Sequence, residues 1–152
     1  MTALDLASRY IGIREIASPG GDHPLIQWWL SLCGFSTDAV DETPWCSAFV
    51  NGIAWELRLP RSKSAAARSW LKVGMPVTLG FARPGFDVVI LKRGAGDQPG
   101  PETLDAPGHV GWFAGVDSGD VIVLAGNQGD AISMERFHPD RVLGIRRLFG
   151  VA

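Results

Sequence analysis

The spacing of apolar residues follows a helical period in the first half of the chain and a strand-like alternation in the second. Thr2 can cap a first helix, with Asp5 at the capping-box position. Pro24 and Pro44 suit the first position of a second and a third helix, where a missing N–H costs nothing. A fourth helical segment covers residues 64–70. The N-terminal half is therefore predicted to be mainly helical.

The pattern becomes strand-like after residue 85. Five short segments rich in β-branched and aromatic residues are bounded by turn residues, namely 88–91, 109–113, 121–125, 132–137 and 142–149. Helices and strands in separate runs indicate an α+β fold, with the N-terminal helices packed on an antiparallel sheet of about five strands. A length of 152 residues fits a single domain, 1–152, with its own core.

A cysteine lies in the first turn of the third predicted helix. Cys46 follows Pro44 by two residues and Thr43 by three, and Thr43 suits the N-cap. At the positive end of a helix, free N–H groups and the helix dipole stabilise a thiolate, so a nucleophilic cysteine is well placed there. Cys46 is also in register with the apolar residues Phe49 and Val50, as a buried structural cysteine would be. The helix by itself supports both interpretations.

A histidine and an asparagine on neighbouring predicted strands favour catalysis. His109 opens one strand, and Gly111 on the same face leaves room for another element, such as the cysteine helix. If strands 109–113 and 121–125 form a hairpin, Asn127 comes near His109 and can fix the tautomer of its imidazole. A helix-borne cysteine, a strand-borne histidine and a polar orienting residue together predict a cysteine hydrolase.

The order of these motifs resembles the CHAP and NlpC-type cysteine peptidases and amidases, and in particular their phage and prophage endolysin-like branch. The resemblance covers most of the chain and includes Pro44-Trp45-Cys46-Ser47-Ala48-Phe49, Gly108-His109-Val110-Gly111 and Gly126-Asn127-Gln128. It implies a papain-like architecture in which Cys46 is the nucleophile, His109 the base and Asn127 the third polar residue. Where the family has Pro-Gly-Asp, this chain has Pro84-Gly85-Phe86-Asp87, which leaves the start of the first core strand open.

The function that this resemblance implies is hydrolysis of an amide bond in bacterial peptidoglycan. The bond would be a stem or cross-bridge peptide bond, or the N-acetylmuramoyl–L-alanine bond. This chemistry needs no cofactor, and the three histidines lack the spacing of metal ligands. Three alternatives stay open: an antibacterial toxin of the same fold, an acyltransferase with an amine acceptor, and a non-catalytic structural or wall-binding module of a phage.

Composition gives no indication of a nucleic-acid or membrane partner. The net charge is −2, and no apolar run approaches the ~20 residues that a membrane-spanning helix needs. The first residues resemble no secretory signal, so we expect synthesis in the cytoplasm. Access to the cell wall would then require a holin, a phage tail or a secretion machine. An immunity protein would be a further partner of a toxin.

We expect Cys33 to be a structural residue, and two tryptophans have two possible roles. Cys33 fits a core position beside the second helix, and a disulfide with Cys46 would remove the nucleophile. Trp45 and Trp112 flank proposed catalytic positions. They would either pack in the core or line a substrate groove.

Polar surface features are expected in two further segments. Arg61, Lys63 and Arg68 form a small basic cluster that would either meet a carboxylate of an acidic stem peptide or, as we expect, lie on a solvated face. The Gly- and Pro-rich segment 92–108 leads to His109. A loop of this length fits either a rim of the active-site cleft or a tolerated surface insertion.

Overall fold

Three α-helices precede a six-stranded sheet in the computed structural model, which describes residues 1–16, 23–35, 45–94 and 97–149. The helices are α1 (Ala3–Ser8), α2 (Pro24–Ser31) and α3 (Cys46–Glu56). The strands are β1 (Met75–Val77), β2 (Asp87–Lys92), β3 (Gly108–Asp117), β4 (Asp120–Gln128), β5 (Ala131–Phe137) and β6 (Val142–Arg147). Their order is β1-β6-β2-β3-β4-β5, with antiparallel neighbours. The predicted α+β class is confirmed.

The sheet has one strand more than the sequence pattern predicts. The additional strand, β1, is only three residues long and contains Pro76, so it gives no alternating signal. Pro76 is tolerated because β1 lies at the edge of the sheet and pairs only with β6. The other strands occur where they are predicted, and β3 and β4 form the expected hairpin, closed by the pairing of Asp117 with Asp120.

The first helix begins as its sequence predicts and ends at Ser8. Thr2 Oγ1 accepts a hydrogen bond from the Asp5 N–H at 3.1 Å, and the Asp5 carboxylate accepts one from the Thr2 N–H at 2.8 Å. This reciprocal capping box confirms the predicted start. The predicted fourth helix is a short 3₁₀ segment, Ala67–Lys72.

Helix α3 begins two residues later than predicted. Its N-cap is Trp45, which has no side-chain capping bond, and Cys46 is its first helical residue. The predicted cap Thr43 and first residue Pro44 lie outside the described residues. Nine of the eleven residues of α3 are buried, from Cys46 to Ala54, so the helix forms the centre of the core against β3 and β4.

The remaining helices complete one side of this core. Trp29 of α2 packs against Phe49 of α3 with ring centroids 5.1 Å apart, and an added Cβ at Gly52 would lie 2.2 Å from the Trp29 ring. Gly52 therefore sets the close approach of the two helices. Within the described ranges, no helix combines the length and apolar character required to cross a membrane.

Candidate active site

Cys46 lies at the floor of a cleft beside the start of α3. The cleft has a volume of about 400 Å³ and is lined by Cys46, Arg93 and two short wall segments, 65–67 and 106–108. Only 2% of Cys46 is exposed. The backbone N–H of Val110, the residue that follows His109, is near enough to favour the thiolate form and lower the pKa of Cys46. The fold thus brings the predicted nucleophile to the strand that carries the predicted base.

A glycine on β4 allows the start of α3 to approach the sheet. An added Cβ at Gly126 would lie 2.4 Å from a ring carbon of Trp45 and 3.3 Å from the Cβ of Phe49. Gly111 leaves room for another element, as we expected, but that element is not the cysteine helix. A Cβ at Gly111 would meet Ala125 and other atoms of the neighbouring strand β4.

The tryptophans beside the site belong to the core. Trp45 and Trp112 are both fully buried, and the Trp45 indole N–H donates a hydrogen bond to the carboxylate of Glu15. Neither ring is available to line a groove for a substrate. The contact with Glu15 joins the segment after α1 to the residue that precedes Cys46.

His109 opens onto a second, smaller cleft of about 190 Å³. Its Nε2 lies 2.9 Å from Oε1 of Gln128, and its ring centroid lies 5.8 Å from that of Phe137. The cleft is also lined by Asn127, Glu135, Arg141 and Arg93. Because Arg93 lines both clefts, the two openings adjoin at this side chain.

The hydrogen bonds of Gln128 determine which nitrogen of His109 carries the proton. Gln128 Nε2 donates to the carbonyl oxygen of Ser133 at 2.7 Å. A carbonyl can only accept, so this bond fixes the orientation of the amide. Oε1 of Gln128 must then accept a proton from His109 Nε2. In the neutral imidazole, Nδ1 is left with a free lone pair, as a general base requires.

The hydrogen bond that we predicted for Asn127 is thus made by Gln128. The register of β4 against β5 shifts between Ala125 and Gln128, and Asn127 has a left-handed backbone with φ of 60°. This bulge changes which side chain faces His109. The sequence contained one signal for this bulge, the pair Gly126-Asn127, since asparagine tolerates a left-handed backbone.

Burial keeps both proposed reacting groups uncharged at neutral pH. It raises the pKa of the Cys46 thiol above its usual 9.0, against the effects of the Val110 N–H and the Arg93 cation. Burial also lowers the pKa of His109 below 6.5, although the hydrogen bond that its Nε2 donates to Gln128 opposes this shift. We expected the helix end to stabilise the thiolate and lower the pKa of Cys46. Desolvation raises this pKa by more than the helix end lowers it. Among the described residues, the thiol and the imidazole are not hydrogen-bonded to each other.

Arg68 holds the loop that forms one wall of the Cys46 cleft. Its side chain is completely buried and donates hydrogen bonds to four backbone carbonyls, those of Pro99 (2.9 Å), Gly100 (2.7 Å), Thr103 (2.9 Å) and Pro107 (3.0 Å). The prediction of a solvated face for Arg68 is therefore wrong. The loop before His109 is a rim of the cleft, consistent with one of the two expectations.

The wall formed by residues 65–67 is held by polar residues of α3. Ser47 Oγ donates to the carbonyl of Ser64 at 2.6 Å and accepts from the Trp70 indole at 2.9 Å. Asn51 accepts from the Lys63 N–H at 3.0 Å and donates to the Ser47 carbonyl. Ser47 and Asn51 are fully buried. They fix the segment that leads into the wall at 65–67.

The two other histidines and the second cysteine lie outside the two clefts. The imidazoles of His23 and His138 each accept a backbone N–H at the start of a helical segment. Cys33 is half-buried, and burial raises its pKa to about 11. Both Cys33 and Cys46 are free thiols. The described part of the chain holds no cluster of three or more metal-ligating side chains.

Comparisons with known proteins bear on the fold. No family model matches the chain, and no curated protein matches it. A solved structure, NlpC1 from Trichomonas vaginalis, superposes with a TM-score of 0.55 and 18% sequence identity over 97% of this chain. The match covers 43% of that protein, so this chain spans less than half of its length. The three helices and the antiparallel sheet therefore constitute an NlpC-like fold.

Proposed function

We propose that this chain is a cysteine peptidase or amidase that hydrolyses an amide bond of bacterial peptidoglycan. The observation that carries the proposal is the fixed chain of hydrogen bonds from Ser133 through Gln128 to His109. It presents a basic Nδ1 on the strand against which the Cys46 helix begins. Cys46 is the nucleophile, His109 the general base and acid, and Gln128 orients the imidazole, the role that we first predicted for Asn127.

The reaction begins with proton transfer from the Cys46 thiol to Nδ1 of His109. The thiolate then attacks the substrate carbonyl, and the first backbone N–H groups of α3, which have no acceptor within the helix, are suited to the developing oxyanion. His109 next protonates the leaving amine, and the C–N bond breaks to give a thioester at Cys46. Water, deprotonated by Nδ1, hydrolyses the thioester and restores the thiol. We expect the hydrogen bond between the thiol and the imidazole to form when substrate binds. Catalytic hydrogen bonds are often long in enzymes without a ligand and shorten in the substrate complex.

Peptidoglycan as the substrate is supported by the NlpC-like fold and by the family resemblance of the motifs. The bond is a stem or cross-bridge peptide bond or the N-acetylmuramoyl–L-alanine bond. We propose a role as a phage or prophage endolysin, released through a holin or carried on a phage tail. A secreted antibacterial toxin with an immunity protein is the alternative, and so is a non-catalytic wall-binding module.

Digestion of purified peptidoglycan tests this function. Wild-type protein should release fragments whose new ends, identified by mass spectrometry, define the bond. Cys46→Ala and His109→Ala should abolish release while leaving the protein folded, because each removes a reacting group. Cys33→Ser and His23→Asn are matched controls outside the two clefts, and both should retain activity. An active Cys46→Ala protein would refute the assignment of the nucleophile.

A further inference from the structure

One exposed arginine lies where the two clefts meet. Arg93 directly follows β2 and lines both the Cys46 cleft and the His109 cleft. Its side chain is exposed, and it has no hydrogen bond or ion pair with any described residue. Its cation is close enough to lower the pKa of Cys46 and of His109. A guanidinium thus faces the place where a bound amide would react.

A second arginine adds positive charge on the histidine side. Arg141 lies over the Phe137 ring at 5.0 Å and donates to the Lys92 carbonyl at 2.7 Å, so its position is fixed. Its cation also lowers the pKa of His109. The carboxylate that lines this cleft, Glu135, forms no ion pair with either arginine in the described structure. Two cations and one carboxylate leave the site locally positive, in a chain whose net charge is −2.

We propose that Arg93 is an anion subsite that binds a carboxylate of the substrate beside the scissile amide. This inference rests on the proposed function, and it narrows the substrate class to peptides with a free carboxylate near the bond that is cut. The planar guanidinium can bind a carboxylate through two parallel N–H···O bonds, and an exposed arginine has its donors available. Stem peptides of the cell wall carry such carboxyl groups, either as free carboxylates or as neutral amides, and the proposed subsite would prefer the free carboxylate.

Alkylation of Cys46 by an anionic and a neutral reagent tests the subsite without any need for turnover. In a Cys33→Ser background, Cys46 is the sole thiol, and the ratio of its rates with iodoacetate and iodoacetamide measures attraction of the anion. A change in the thiol pKa affects both reagents equally and cancels in the ratio. Arg93→Gln should lower the ratio about fivefold, the factor for a pair of unit charges about 4 Å apart in water. Arg93→Lys should keep the ratio within about twofold of the parent, because it keeps the charge.

Arg9→Gln removes the exposed arginine that caps the C-terminus of α1, outside both clefts, and should leave the ratio unchanged. If Arg93→Gln also leaves the ratio unchanged, or if neither reagent reaches Cys46, the subsite is refuted. An equal fall in both rates refutes it as well, because Arg93 would then act on the thiolate alone.

Soluble muropeptides extend the test to the substrate. A matched pair that differs only in a free or an amidated stem carboxylate should be cut with a preference for the acid. Arg93→Gln should reduce that preference about tenfold, since it removes the charged partner. If the alkylation ratio changes but no muropeptide is cut, the subsite stands and the proposed hydrolase function fails. If muropeptides are cut and neither ratio responds to Arg93→Gln, the hydrolase stands and the subsite fails.

Discussion

Replacement of Arg68 by methionine should loosen the loop that forms a wall of the Cys46 cleft. Methionine has a similar apolar stem and no donors, so the substitution removes the guanidinium and little packing volume. Four carbonyls, from Pro99 to Pro107, then lose their donor. Since Pro107 is two residues before His109, we expect the start of β3 to be affected with the loop.

The magnitude follows from these four bonds. A net value of about 1 kcal/mol for each gives about 4 kcal/mol, and bonds to a charged group would contribute more. The loop carbonyls lie near the surface and regain water when the loop opens, so about 4 kcal/mol is the expected loss of unfolding free energy. For a chain of this length, each kcal/mol lowers the melting temperature by about 2–4 °C. The expected fall is therefore about 8–16 °C.

Urea unfolding and hydrogen exchange measure the two parts of this prediction. Unfolding gives the loss of stability, and amide exchange should accelerate most in residues 97–107 and least in the β4–β5 hairpin. Arg68→Lys keeps the charge with fewer directed donors and should restore part of the loss. Arg9→Met, an exposed control, should change the unfolding free energy by less than about 0.5 kcal/mol. A loss below 1 kcal/mol in Arg68→Met would refute the reasoning.

Three further predictions concern the residues around His109. Gln128→Ala should lower kcat about tenfold or more, because the imidazole tautomer is no longer fixed. Asn127→Gly should keep kcat within about threefold of wild type, since glycine accepts the left-handed backbone. The unfolding free energy should decrease as pH falls below about 6.5. Burial lowers the pKa of His109 in the folded state, so the unfolded state binds the proton first. His109→Gln should remove this component. Gly126→Ala should cost about 1–3 kcal/mol, because its Cβ would overlap the Trp45 ring.

Each of these has an outcome that contradicts it. Steady-state kinetics on a muropeptide would contradict the first if Asn127→Gly were as damaging as Gln128→Ala. Urea titrations at pH 5.5 and 7 would contradict the second if wild type and His109→Gln lost equal stability. For the third, a Gly126→Ala protein with unchanged stability and activity would mean that Trp45 moves aside without cost.

The local features of this fold are encoded over short stretches of sequence. The Thr2–Asp5 capping box depends on residues three apart, and the β3–β4 hairpin depends on alternating segments joined by a short turn. The position of Cys46 in a first helical turn is of the same kind. Such features depend on backbone geometry and nearest neighbours, so the sequence pattern is sufficient to predict the α+β class and the β3–β4 hairpin that carries His109.

Tertiary structure decided the hydrogen-bond partners, the burial and the charge state of the proposed site. Gln128 rather than Asn127 meets His109 because a bulge in β4 shifts its register. Arg68 is buried because a loop more than thirty residues away folds over it and supplies its acceptors. The thiol pKa of Cys46 is raised because the surrounding core excludes water. Desolvation and hydrogen-bond geometry depend on which groups surround a side chain in three dimensions. Because these groups are distant in sequence, the sequence pattern alone does not predict them.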